Sequence, residues 1–297
     1  MKKTKEEWIT LFRNEADSVM PLALKQTDRN KKSNVINNAI KHFSGDIIEK
    51  IKITANIEQW NIEVLLNEIL LVTYASYIVM LEYRNKVWPY DYMAFARRIG
   101  ELWEPFCKLP FEYPVKTLKI IEPPDFYKVQ AGIKKQTKDY ISALDITEEE
   151  RRMLSYYYGI PWTLVDSGGT KLRLDLHFEQ AGVHYNCDFK SGFSSNEKGN
   201  TNRLLLVGSI YQSLGENEKT VLFVRQEEDQ NNHYLQTLKN SPFWRCYCAN
   251  DCYAKMAEYT GFDLRTWLDK NVDWKNDISA EFKKHLVDND LIGYLTW

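Results

Sequence analysis

The sequence predicts an α/β (α+β) fold, with an N-terminal mostly helical region followed by a mixed β-sheet flanked by helices. Three observations carry that prediction. Apolar side chains recur at three- and four-residue spacing through most of the chain up to Gly159. From Thr170 the period drops to two, in TKLRLDLHF and again in VHYNCDFK. Beyond that pair, helix-period and strand-period stretches alternate towards the C-terminus.

The first helix is expected in TKEEWITLFRNEADSVMPLAL, with Trp8, Leu11 and Phe12 on one face. A polar break, KQTDRNKKSN, precedes a second helix in NVINNAIKHFSGDIIEKIKITANI. The run from Val64, VLLNEILLVTYASYIVMLEY, is nearly long enough to cross a bilayer, but Asn67 and Glu68 interrupt it. It reads as a buried helix, and no membrane association is expected. The aromatic-rich WPYDYMAFARRIGELWEPFCKL reads as helix too, with its stripe assigned to core or dimer contact.

Four of the nine prolines fall in LPFEYPVKTLKIIEPPDF, which marks a linker or extended crossover. DFYKVQAGIKKQTKDYISAL is again helical. ITEEERRMLSYYYG opens on a capping box, Thr147 with Glu150, and is expected to stop at Gly159. The alternating segments then form a hairpin about a tight turn at Gln180–Gly182. NTNRLLLVGSIYQSLG reads as a helix apolar on nearly every side, KTVLFVRQ as a central strand, HYLQTLKNS as a short helix and FWRCYCA as a further strand. DCYAKMAEYTGFDLRTWLDK closes the chain as helix.

Apolar residues make up 44% of the chain and charged ones 27%, the profile of a globular protein. A net charge of −2 excludes coating of nucleic acid by charge alone, so any such contact has to be local. Five scattered cysteines and a charged, amphipathic start point to reduced thiols and a cytoplasmic protein. No phosphate-binding loop, dinucleotide glycine fingerprint or Ser-His-Asp signature stands in a suitable setting, so no nucleotide cofactor is expected.

The hairpin carries charge where strands normally bury apolar groups: Asp175, Asp188 and Lys190. Asp188 and Lys190 share a face, with Phe189 opposite. Counted from a turn centre near Ala181, Asp175 and Asp188 lie six and seven residues out, in register or one diagonal step apart. A one-residue slip would put them on opposite faces. Two carboxylates this close repel unless a cation joins them. Mg²⁺ takes such oxygens and completes its shell with water and phosphate. A lysine beside it suits an attacking water or a phosphate charge. The plain alternative is an edge hairpin with solvent-facing acids.

Asp175, followed after a spacer by Asp188-Phe189-Lys190, resembles the PD-(D/E)xK nuclease motif, and size and element order are most similar to type II restriction endonucleases. The likeness covers roughly residues 147–260; Leu174 stands where proline is common. It implies a restriction-endonuclease-like sheet, with Asp175 and Asp188 as metal ligands, the Phe189 carbonyl as a third, and Lys190 as the catalytic lysine. It further implies Mg²⁺ (with Mn²⁺ as substitute), double-stranded DNA as substrate, 5′-phosphate and 3′-hydroxyl products, and a homodimer to cut both strands. On this reading residues 1–125 are a helical region for DNA contact or dimerisation. Residues 126–297 are the nuclease core with C-terminal helices. A repair or defence nuclease on structured or single-stranded nucleic acid, and a non-catalytic DNA-binding protein, are the rival readings.

Lys198, Asn200, Asn202 and Arg203, in the polar stretch after the motif, are the candidate DNA contacts. They equally suit a solvated loop with Asn200 or Thr201 capping the next helix. Glu148–Glu150 suit the helix dipole better than a metal. His177 and His184 share the acids' parity, but hydrogen-bonded or surface roles are expected. Cys246 and Cys248, with Cys252 nearby, read as strand alternation on a buried face rather than a zinc site.

Overall fold

The computed structural model describes residues 2–165, 171–194 and 197–297. Its first helices are α1 (Lys5–Leu24), α2 (Arg29–Ile57), α3 (Ile62–Val87) and α4 (Tyr92–Glu112). Each starts at a side-chain cap: Thr4, Asp28, Asn61 and Asp91 accept from the N–H three residues on. The Asp28 cap shortens the expected polar break. It lets RNKKSN join α2, so only residues 25–28 separate the two helices.

α3 is buried on nearly all sides, packed against α1 and α2. Most of its apolar run is buried in this packing. Its most buried acid, Glu82, receives Arg13 through two bonds, Nε to Oε2 at 3.0 Å and Nη2 to Oε1 at 2.7 Å. Of the aromatic stripe on α4, Phe95, Trp103 and Phe106 are core, whereas Tyr92 and Met93 are exposed.

The chain continues through β1 (Lys119–Ile120), α5 (Phe126–Ala143), α6 (Glu148–Val165), β2 (Leu176–Gln180), β3 (Val183–Lys190), α7 (Lys198–Leu214), β4 (Glu218–Val224), α8 (His233–Lys239) and β5 (Trp244–Cys248). The five strands form one sheet in the order β1-β2-β3-β4-β5. β1–β2 and β2–β3 are antiparallel and β3–β4 is parallel, so the sheet is mixed. The Thr147–Glu150 capping box forms as expected at the head of α6. The helix does not stop at Gly159, however. That glycine has no positive φ, and α6 runs on through Pro161 to Val165.

Last come α9 (Ala249–Thr260), α10 (Leu264–Asn271), α11 (Trp274–Asp277) and α12 (Ala280–Asp288). The chain divides into two compact units, residues 1–118 with 248–297, and residues 119–247. The expected division at 125/126 grouped the C-terminal helices with the sheet, whereas this division groups them with the helical unit. The reason lies in buried pairs that the linear pattern does not reveal. Trp103 Nε1 donates to Tyr253 Oη at 2.8 Å, Tyr74 Oη donates to Asp277 Oδ2 at 2.8 Å, and Phe282 packs edge-on against Phe95. The sheet unit is therefore the smaller one.

The β2–β3 hairpin closes on Ala181 and Gly182, with φ of 53° and 75°. Two consecutive left-handed residues make the tight turn whose twist matches the flanking strands. Gln180 then pairs with Val183, and the register runs on to Leu176 with Cys187. The expected turn is thus confirmed, its centre falling between Ala181 and Gly182. Leu172, Leu174 and Asp175 stand outside the strand, because β2 begins only at Leu176. The sequence Ser167–Gly169, read as a lead into the first strand, and Ser195–Asn196 of the polar loop lie outside the described residues.

Candidate active site

The last pair of the ladder is Leu176 with Cys187, which leaves Asp175 and Asp188 as the next residues beyond it on the two strands. Asp175 lies in a bend at the mouth of β2 rather than within the expected strand. Its Oδ2 accepts the Phe189 N–H at 2.8 Å, taking over from the backbone ladder where it ends. Its Oδ1 accepts no hydrogen bond among the described residues.

Asp188 is 1% exposed. Lys190 Nζ donates to its Oδ1 and also to the Phe189 carbonyl, at 3.1 Å. Arg203 Nη2, from the second turn of α7, donates to Asp188 Oδ2 at 3.2 Å. Burial pushes the Asp188 carboxyl above its usual range, and the charge of Asp175 adds to that, while Lys190 and Arg203 pull the other way. The Cys187 thiol behind it is raised well above its ordinary value by burial, with both acids contributing. The locus is thus a corner in which one buried and one half-exposed carboxylate stand with two cations.

α7 reaches Arg203 to this corner because it lies close on the sheet edge. A Cβ on Gly208 would sit 2.5 Å from Trp244 Nε1, and that indole donates to the Leu204 carbonyl at 2.8 Å. Glycine permits the approach. Of the other candidate contacts, Lys198 and Asn202 are exposed on the first turns of α7, and Asn200 bonds to Glu197 at 3.0 Å. Neither Asn200 nor Thr201 caps α7. The helix starts earlier, at Lys198, and Thr201 is buried with its hydroxyl on the Glu197 carbonyl.

His177 is a buried hydrogen-bonded residue, in keeping with the expected role. Its Nε2 accepts the Leu174 N–H at 2.9 Å, which leaves Nδ1 carrying the proton donated to Asn186 Oδ1 at 2.8 Å. Burial lowers its pKa. Asn186 donates in turn to Glu218 Oε2 at 2.7 Å, and His184 Nδ1 lies 2.8 Å from Glu218 Oε1. This polar row across β2, β3 and β4 is missing from the sequence reading. The only hint along the chain is parity, His177 and Asn186 lying two cross-strand positions inward from the acids and so on their face. Cys246 and Cys248 are half-buried rather than on a buried face, since β5 is exposed at Arg245 and partly covered beyond it.

Two carboxylates and the Phe189 carbonyl are hard oxygen donors, which suits Mg²⁺ with waters and phosphate filling the rest of its shell. Lys190 already bridges two of these three donors, Asp188 and the Phe189 carbonyl, so a positive group is accommodated there. Among the described residues no cluster of three or more His, Cys, Asp or Glu side chains is arranged to hold a metal, so a protein-only cage is absent from them. The chain matches no protein-family model, no curated protein and no solved structure.

Proposed function

We propose that the protein is a Mg²⁺-dependent endonuclease of the PD-(D/E)xK type, with a restriction-endonuclease-like sheet, which hydrolyses phosphodiester bonds of double-stranded DNA. The observation that carries the reading is that Asp175, bonded to the Phe189 amide, stands at the open end of the hairpin beside Asp188, with Lys190 on the Asp188 carboxylate. Sequence-specific type II cleavage by a cytoplasmic homodimer is the detailed form, leaving 5′-phosphate and 3′-hydroxyl ends.

Asp175, Asp188 and the Phe189 carbonyl would hold Mg²⁺, with Mn²⁺ as substitute. When bound, the ion supplies charge for a phosphate oxygen and acidifies a water. Lys190 stands with its ammonium at the carboxylate and carbonyl, 17% exposed, where it can hold an attacking water or balance phosphate charge. Asp188 keeps that lysine in place through its Oδ1. Arg203, 39% exposed, has donors to spare for a phosphate while it pairs with Asp188 Oδ2. The exposed Lys198 and Asn202 extend a polar edge along which a backbone would run.

Digestion of a defined plasmid with Mg²⁺, with the ends sequenced, tests the reading. Discrete bands that vanish in Asp188→Ala and Lys190→Ala support it. A smear, or cutting only of structured or single-stranded substrates, favours a repair or defence nuclease. DNA binding with no cleavage under any divalent ion favours a non-catalytic binder.

A further inference from the structure

Asp175 owes its position to a bend outside β2, so something must hold that bend still. Three bonds do so. Tyr211 Oη on α7 donates to the Leu172 carbonyl at 2.9 Å, the Leu174 N–H donates to His177 Nε2 at 2.9 Å, and the Phe189 N–H reaches Asp175 Oδ2 at 2.8 Å. The middle bond comes from a side chain that is itself fixed at its far side. His177 and Asn186 are register partners, Nδ1 lies 2.8 Å from Asn186 Oδ1, and Asn186 is anchored on Glu218 at 2.7 Å. His177 and Asn186 are 4% and 2% exposed, so neither bond competes with bulk water. The Tyr211 ring lies beside the imidazole, with centroids 6.1 Å apart and planes tilted by 43°.

We infer that His177 is a positioning residue: braced by Asn186 and Glu218, it locks the Leu172–Asp175 bend so that Asp175 faces Asp188 in cation-binding geometry. The cation part of this inference rests on the nuclease reading; the locking of the bend does not. His177 touches neither acid and acts through the Leu174 amide alone. Groups that orient ligands in this way govern metal affinity about tenfold to a hundredfold.

Three variants separate the bonds. His177→Phe keeps a ring beneath Tyr211 and loses both bonds. His177→Asn can reach Asn186 but is too short for Leu174. His177→Gln can reach both. Hydrogen exchange of the peptide spanning 172–176, read against peptides of α7 and β4, reports the bend; calorimetric Mn²⁺ binding reports the site. Phe and Asn variants should exchange faster in 172–176 only and bind Mn²⁺ about tenfold or more weakly. Gln should restore most of both. Unchanged local exchange, or a loss of protection spread evenly over the sheet unit, overturns the inference. A wild-type protein that binds no Mn²⁺ while the local exchange effect persists overturns the nuclease reading and leaves the lock of the bend supported.

Discussion

Asp175 and Asp188 are the residues next beyond the last pair of the β2–β3 ladder. They are joined through the Phe189 amide, which donates to Asp175 from the residue next to Asp188. The two acids hold different surroundings. Asp175 has an oxygen without a hydrogen bond among the described residues, while both oxygens of Asp188 are occupied by Lys190 and Arg203. A cation entering the corner therefore meets one ready ligand and one that has to be shared with, or taken from, a lysine.

Burial and the charge of Asp175 raise the Asp188 carboxyl, against the pull of Lys190 and Arg203. Asp188→Asn should accordingly melt at or above the wild-type temperature near neutral pH in the absence of divalent ions. It should also lose cleavage and Mn²⁺ binding. Calorimetric melting beside a digestion assay checks both; a marked drop in melting temperature would show that the ion pairs, not the desolvation, dominate.

Arg203 differs from its neighbours on α7 in touching Asp188, whereas Lys198 and Asn202 are exposed. Lys198→Ala should weaken DNA binding and lower the salt dependence by about one charge, leaving Mn²⁺ affinity unchanged. Arg203→Ala should alter both, because it removes a partner of the buried acid and the phosphate donor proposed at this edge. Binding titrations over a range of salt concentration, with calorimetry of the ion, distinguish the two residues.

The hairpin turn places Ala181 at φ 53°, in the left-handed region where a side chain with Cβ is strained by about 1 kcal/mol. Asparagine tolerates that conformation and is favoured there before glycine. Ala181→Asn should raise stability by about 0.5–1 kcal/mol in denaturant unfolding without changing the register or cleavage. Gly182→Val, at φ 75°, should destabilise and loosen the facing acids together.

Glu68 on α3 is 8% exposed, and its Oε2 lacks a hydrogen-bond partner among the described residues. Burial raises its pKa, opposed in part by Lys2. A raised folded-state value means that the folded protein prefers the protonated form. Its contribution is then most favourable at acid pH and is lost as pH rises from the ordinary carboxylate range through the folded value. Glu68→Met should therefore stabilise at pH 7 by about 1 kcal/mol, the scale of an unmade buried hydrogen bond. The gain should shrink at pH 4, with cleavage unaffected; thermal melts at the two pH values test it.

Local chemistry was legible in the sequence wherever a rule acts over a few residues. The Thr147–Glu150 box, the turn before Val183 and the shared face of Asp188 and Lys190 follow from capping, left-handed φ and strand alternation. The chain alone could not say that α6 continues past Gly159, since a glycine ends a helix only if its backbone turns left-handed there. It could not assign the last helices either, because Trp103 and Tyr253 lie 150 positions apart and only packing brings them together.

The sequence by itself determined which groups the hairpin offers: two carboxylates and a lysine, in fixed order, with Asp188 and Lys190 on one face by covalent geometry. Tertiary pairing was needed to fix the register at Leu176 with Cys187 and to tie Asp175 to the Phe189 amide, since six or seven residues from a turn is ambiguous along the chain. The tertiary structure also decided what surrounds the two acids. Arg203 arrives on a helix that packs through Gly208, and His177 and Tyr211 hold a bend that no periodicity encodes. Those contacts depend on cross-strand and helix–sheet distances, which nearest-neighbour pattern along the chain does not carry.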